Sequence, residues 1–250
     1  MTIQIRGNLA RDYGDVLTSE ALGALEVLSE INAVRLEAMR ERGARRAARA
    51  GNGERIRFLD PDAVLPDTGI TARQAREGNF TGSPIPPDLR RQWIQGTGPA
   101  TKPRATLERS IRNVAYALLS GADGWMFDGE DALGQVDAMS LDNQRNLKRA
   151  FARDPVFLRA AQEVAREMNA WSEDFFGRRI VDRWEEQLDF TTRIFRPRGL
   201  HLDDRHLGLP DGTGLGACLV DTVLYVVHNH HTLREEGRSL VLYLPKIQTA

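Results

Sequence analysis

Four short apolar segments, at residues 93–96, 124–128, 192–196 and 240–244, constrain the fold of this chain more than any other feature. Each has the length and composition of a buried strand, and helix-length sequence lies between them. Leu107, Ile111, Val114 and Leu118 recur at helical spacing over 107–119, and Gly121 closes that helix. Residues 142–184 read as predominantly helical, with broad apolar faces carrying Phe151, Val156, Leu158, Ala161, Val164 and Met168. A further apolar helical segment covers 219–231. Strands alternating with helices indicate an α/β fold. A closed (β/α)8 barrel needs eight strand–helix pairs, and the 250 residues supply about four.

Upstream of the first strand the character changes. Thr18 or Ser19 caps a helix expected to run to about Arg49, with Leu22, Leu25, Leu28, Ile31 and Val34 as its apolar stripe. Arg40, Arg42, Arg45, Arg46 and Arg49 make its end basic, which suits a solvated helix C-terminus. Residues 51–99 are rich in Gly, Pro and Asp and read as an irregular wrap, for which Ile56, Phe58, Leu65, Ile70 and Phe80 are the expected anchors. The division is therefore 1–90 for the helical segment and wrap, and 91–250 for the strand–helix region, with a helical insertion at about 142–186.

Composition narrows the function. With 34 basic and 35 acidic residues no global field recruits nucleic acid or a membrane surface. A single cysteine, Cys218, precludes an intramolecular disulfide, and the chain shows neither a secretory leader nor a long apolar span, so a cytoplasmic protein is expected.

The chemistry-bearing residues gather at strand ends. Arg196 closes the third strand and begins the run Arg196-Pro197-Arg198-Gly199-Leu200-His201-Leu202, which places a planar cation where an oxyanion is held. Asp128, Glu130 and Asp131 end the second strand; three carboxylates that close need a cation between them. They read either as a shell orienting Arg196 or as a structural ion-pair network. Lys246 follows the last strand and reads either as a contact to a ligand's phosphate or carboxylate or as a partner of one of those acids. Gly212-Thr213-Gly214-Leu215-Gly216 lacks the preceding strand of a dinucleotide loop. His228, His230 and His231 lack the companions of a metal site and suit packing or capping.

Several of these pieces, in this order, resemble the malate synthase family, its A-type enzymes in particular. The resemblance rests on Leu65-Pro66-Asp67-Thr68, Arg76-Glu77-Gly78-Asn79-Phe80, Pro84-Ile85-Pro86-Pro87-Asp88-Leu89, Thr97-Gly98-Pro99 and Met126-Phe127-Asp128-Gly129-Glu130-Asp131-Ala132. Asp142-Asn143-Gln144-Arg145-Asn146-Leu147, the Arg196 run, His228-Asn229 and Leu242-Tyr243-Leu244-Pro245-Lys246 continue it. What it implies is an α/β fold, a partial TIM-type barrel of about four strands behind an N-terminal helical clasp. It also implies a Claisen-type condensation of an acyl-CoA with a 2-oxo acid, followed by thioester hydrolysis. Arg196 is then catalytic, with Asp128, Glu130, Asp131, Arg198 and Lys246 around it or at the substrate. The family's Mg2+ ligands, a Glu and an Asp from later strands, and its catalytic aspartate are not among these residues. The resemblance thus implies a split N-terminal half, completed by a second chain resembling the C-terminal half or by a second copy, with a non-catalytic scaffold or regulatory protein as the alternative. The chain departs from the family at Gln92-Trp93-Ile94-Gln95-Gly96, where two cations and one acid are missing, and at Gly129, which replaces a bulky aromatic and is expected to open volume.

Overall fold

The computed structural model describes residues 3–97, 105–130 and 137–247. Asp131 of the acidic motif, Gly98 and Pro99 lie outside the described residues. The chain opens with a short strand, β1 (Gln4–Ile5), and one turn of helix, α1 (Leu9–Asp12). Two helices then replace the single one expected over 18–49: α2 (Ser19–Leu28) and α3 (Ile31–Gly51). Thr18 caps α2 by accepting the Ala21 N–H at 3.3 Å. The break falls at Ser29, whose hydroxyl and N–H both donate back to the Glu26 carbonyl, a local bond that competes with helix continuation.

That break rotates the buried face. Leu25 stays in the core, whereas Ile31 and Val34, expected on the same stripe, are exposed. The buried side chains of α3 are Asn32 and Arg35. Residues 52–91 hold one short α-helix, α4 (Ala72–Glu77), closed by a Thr71/Gln74 capping box and by Gly78 at φ 73°, and a single 3-10 turn at Pro87–Leu89. Three of the expected anchors of this wrap are not buried: Ile56 is 81%, Phe58 94% and Phe80 52% exposed. Phe58 meets the guanidinium of Arg76 rather than an apolar partner.

The strand–helix region follows the expected alternation. Its elements are β2 (Trp93–Thr97), α5 (Leu107–Leu118), β3 (Gly124–Asp128), α6 (Met139–Phe151), α7 (Pro155–Phe176), α8 (Trp184–Phe190) and β4 (Thr192–Arg196). After β4 come a hairpin of β5 (Asp203–Gly208) and β6 (Gly214–Gly216), then α9 (Ala217–Glu235) and β7 (Val241–Leu242). A turn through Gly212, at φ 84°, joins the hairpin strands, and β1 adds to its outer edge in the order β1-β5-β6.

β2, β3, β4 and β7 form one parallel sheet in that order, the arrangement of a partial TIM-type barrel. Pairing is in step across the centre: Trp93, Gly124 and Thr192 share one row, and Thr97, Asp128 and Arg196 another. Side chains alternate across a strand, so Phe127 and Phe195 face the helices while Asp128 and Arg196 face the other side. Phe127 and Phe195 join a core with Leu118, Leu147, Phe151, Phe157, Val164 and Tyr225. A second core joins α2 to α9 and the hairpin through Leu25, Leu207, Leu215, Val220 and Leu224. The two cores hold the N-terminal helices on the same body as the sheet.

Candidate functional site

The register of β3 and β4 decides the geometry. Asp128 and Arg196 are direct neighbours in the last paired row, at the C-terminal ends of the strands. Arg196 donates Nε to Asp128 Oδ1 at 2.8 Å and Nη2 to Asp128 Oδ2, a bidentate pair with both side chains buried. Two parallel bonds fix the plane of the guanidinium as well as its position. Across the sheet the ring of Tyr243, just past β7, lies 5.9 Å from the Arg196 guanidinium carbon, within cation–π range.

Gly129 prolongs this pairing: its N–H donates to the Arg196 carbonyl at 2.9 Å. A Cβ on Gly129 would lie 2.8 Å from that carbonyl oxygen and 3.3 Å from the Phe195 ring. The expectation that Gly129 opens volume is therefore wrong. The missing side chain is what allows the two strand ends to approach, and no room is gained at its Cβ.

Glu130 turns back onto the same site. Its N–H donates to Asp128 Oδ1 at 2.8 Å, and its Oε1 accepts Lys246 Nζ at 2.6 Å. Of the two readings of Lys246, pairing with an acid of this motif is the one the geometry contains. Glu130 Oε2 is buried without a hydrogen-bond partner among the described residues. Gly199 passes so close that a Cβ there would meet the His201 ring at 2.8 Å and Glu130 Oε1 at 3.3 Å. Beyond Lys246 a cleft of about 140 Å3 opens between Gly199, Leu200 and His201 on one side and Ala38, Met39, Arg42 and Arg45 on the other. Two arginines of the basic end of α3 thus border the strand-end loops.

Arg198 is held differently. It donates to both carboxylate oxygens of Asp221 at 2.6 and 2.9 Å and to Asp204 at 2.7 Å, all three residues being buried. Burial works against its charge, and the two carboxylates outweigh that, so its pKa stands above the ordinary arginine value. Asp204 also accepts the His206 and Leu207 N–H groups. The triad ties the exit of β4 to β5 and α9 and fixes the backbone that carries Arg196.

Sequence reasoning missed three parts of this support. Asp204 and Asp221 sit among ordinary surface-like polar residues, and only the fold brings them to Arg198. Arg35, which no motif singles out, is buried and donates to the Leu200 and Leu202 carbonyls and to Asp203. Asn32 beside it bonds Gly214 and Gly216. His228 does pack: its Nε2 lies 2.7 Å from the Val16 carbonyl, and burial holds its pKa below the usual value. Burial likewise pushes the Cys218 thiol up, away from a reactive thiolate. Among the described residues no three His, Cys, Asp or Glu side chains come together as a metal-ligand set. None of the described helices is long and apolar enough to cross a membrane.

A parallel β/α sheet with an ion-paired arginine at the C-terminal ends of its strands is the architecture of a barrel-type enzyme face. Residues 192–250, from β4 onward, match the malate synthase TIM barrel domain. Similar proteins include the glyoxysomal malate synthase of Zea mays, 33% identical over 91% of this chain and 34% of that protein. The malate synthase of Oryza sativa subsp. japonica is 32% identical over 98% of the chain and 38% of its own length. That of Myxococcus xanthus is 30% identical over 99% and 38%. The chain belongs to the malate synthase family and spans little more than a third of the length of these curated relatives.

Proposed function

We propose that this chain contributes the arginine-bearing part of a malate-synthase-like active site, for condensation of acetyl-CoA or a related acyl-CoA with glyoxylate or a related 2-oxo acid. The observation that carries the reading is the bidentate Asp128–Arg196 pair at the strand ends. In such a reaction a proton leaves the α-carbon of the thioester, the resulting enolate carbon attacks the oxo carbon, and negative charge develops on the former oxo oxygen. A guanidinium held rigid before the reaction stabilises that charge without reorganising. Asp128 orients it, and the Arg198–Asp204–Asp221 triad holds the backbone beneath it. Glu130 holds Lys246, and the arginines of the adjoining cleft are assigned to the ligand's carboxylate or phosphate side. Asp131 is assigned to the same acidic motif on sequence alone.

The family's magnesium does not fit the described residues as a complete site. Asp128 is committed to Arg196 and Glu130 to Lys246, so these carboxylates do not make up its ligand set. In the assembled enzyme Mg2+ is proposed on ligands from polypeptide beyond these residues. We assign residues 1–90 as the clasp and wrap and 91–250 as the first part of the barrel, with the helices at about 142–186 as an insertion. The remaining strands are proposed to come from further polypeptide, a second chain resembling the family's C-terminal half, or a second copy, in a cytoplasmic assembly.

Arg196→Lys tests the assignment, because lysine keeps the charge and loses the fork. In the completed enzyme kcat, followed as thiol release from acyl-CoA, should fall by roughly a hundredfold, about 3 kcal/mol of transition-state stabilisation, with assembly unchanged. Near-normal turnover would make Arg196 a structural residue.

A further inference from the structure

At the other end of β4, one strand length from Arg196, lies a second concentration of arginines. A five-residue strand spans about 13 Å, so the two places are separate. Arg193 is buried on the helix-facing side of the strand, with its guanidinium 4.9 Å from the Phe151 ring centre. Its Nη2 donates to the Leu188 carbonyl at 2.9 Å, while Nε has no hydrogen-bond partner among the described residues. No carboxylate within ion-pair distance of it is present among the described residues, an unusual state for a buried arginine.

Arg193 borders a cavity of about 130 Å3, together with Arg91, Arg238, Ser239, Thr192 and Asp88. The acids nearby are already engaged. Asp88 accepts the Ser239 N–H and hydroxyl, both at 2.9 Å, and Asp189 takes Arg153 at 3.0 Å and Arg238 at 3.6 Å. Arg91 stacks on Phe190 at 4.1 Å and donates to the Phe190 carbonyl. Arg238 also meets Glu236 at 3.4 Å, so four arginines, Arg91, Arg153, Arg193 and Arg238, stand against three acids, Asp88, Asp189 and Glu236, and leave one excess positive charge around the cavity. Burial, followed by the neighbouring charge of Arg238, lowers the Arg193 pKa to about 10, so the site gains from any anion that enters.

We propose that this cavity is a binding site for a free inorganic oxyanion of the phosphate or sulfate class, held by Arg193 with Arg238 and Arg91. The anion would join three connections at the N-terminal ends of the strands: the approach to β2, the α8–β4 turn and the α9–β7 link. Arginine forks are the donors such an anion takes, and its charge supplies what Arg193 lacks.

The test is a titration of the 250-residue chain with sodium phosphate and sodium sulfate against sodium chloride at matched ionic strength, read by thermal unfolding and by calorimetry. The site predicts a rise in Tm with either oxyanion and 1:1 binding, because an ion that binds only the folded state stabilises it by mass action. Arg193→Met should abolish both. Should that variant not fold, Arg238→Gln and Arg91→Gln, on the cavity rim, carry the test, each weakening oxyanion binding at least tenfold. Phenyl phosphate, larger than phosphate by a ring and carrying one fewer free oxygen, should bind at least tenfold more weakly than phosphate. An equal rise in Tm with chloride, or unchanged affinity in Arg238→Gln and Arg91→Gln, would overturn the site, and equal binding of phenyl phosphate would overturn the free-ion assignment.

Discussion

Asp128 and Arg196 show how a single pair carries both structure and the proposed chemistry. Removing one partner of a buried bidentate ion pair takes away a charge and two aligned hydrogen bonds together, so Asp128→Asn should cost about 3 kcal/mol of stability, measured by urea unfolding. A loss below a few tenths would mean that the arginine is held by other groups. Gly129 makes the complementary point about space. Gly129→Ala must displace the Arg196 carbonyl, now 2.8 Å from the new Cβ, and should destabilise by about 1–3 kcal/mol and disturb the pairing of β3 with β4. An alanine variant as stable as the parent would show that the strand ends can part freely.

Among the elements, those with a strong local pattern were legible and those defined by tertiary partners were not. The strands at 124–128 and 192–196 and the helix at 107–119 match β3, β4 and α5 almost to the residue, because apolar runs mark the strands and helical spacing ending before Gly121 marks the helix. The N-terminal helix was misread because Leu22, Leu25, Leu28, Ile31 and Val34 keep a helical period straight through the Ser29 break. Periodicity does not register a hydroxyl bonding back to Glu26. Arg35 drew no expectation, because its partners, the Leu200 and Leu202 carbonyls and Asp203, reach it only through the fold. In the site itself, Arg196, Asp128, Glu130 and Lys246 were all legible as strand-end residues, whereas Asp204 and Asp221 become partners of Arg198 only through the hairpin and α9. The contact between α9 and the loop before α2 has its own test. Because burial depresses the His228 pKa, the unfolded chain takes up a proton there before the folded one does. Stability from this residue is present above the unfolded histidine value of about 6.5 and is lost as pH falls from there through the lower folded value. The Tm of the parent should therefore drop more between pH 7 and 5 than that of His228→Gln; parallel curves would remove His228 from the account.

At the scale of the whole molecule, β2 and β7 form the two edges of the parallel sheet, and Ile94, Tyr243, Leu244 and Ile247 beside them are exposed. Unpaired edges with apolar flanks are where further strands attach. Completion of the barrel should create an interface of the obligate kind, above roughly 2,000 Å2. It should also bring the residues of the remaining barrel to the face carrying Arg196. The most direct measurement is reconstitution: the chain is assayed for thiol release from acetyl-CoA with glyoxylate and Mg2+, alone and mixed with a polypeptide corresponding to the rest of a malate synthase, with light scattering to count the chains. The account predicts no turnover by the chain alone, and a stable complex that turns over and loses roughly a hundredfold of its rate in Arg196→Lys. Robust turnover by a verified monomer of these 250 residues, or a complex whose rate does not depend on Arg196, would contradict it.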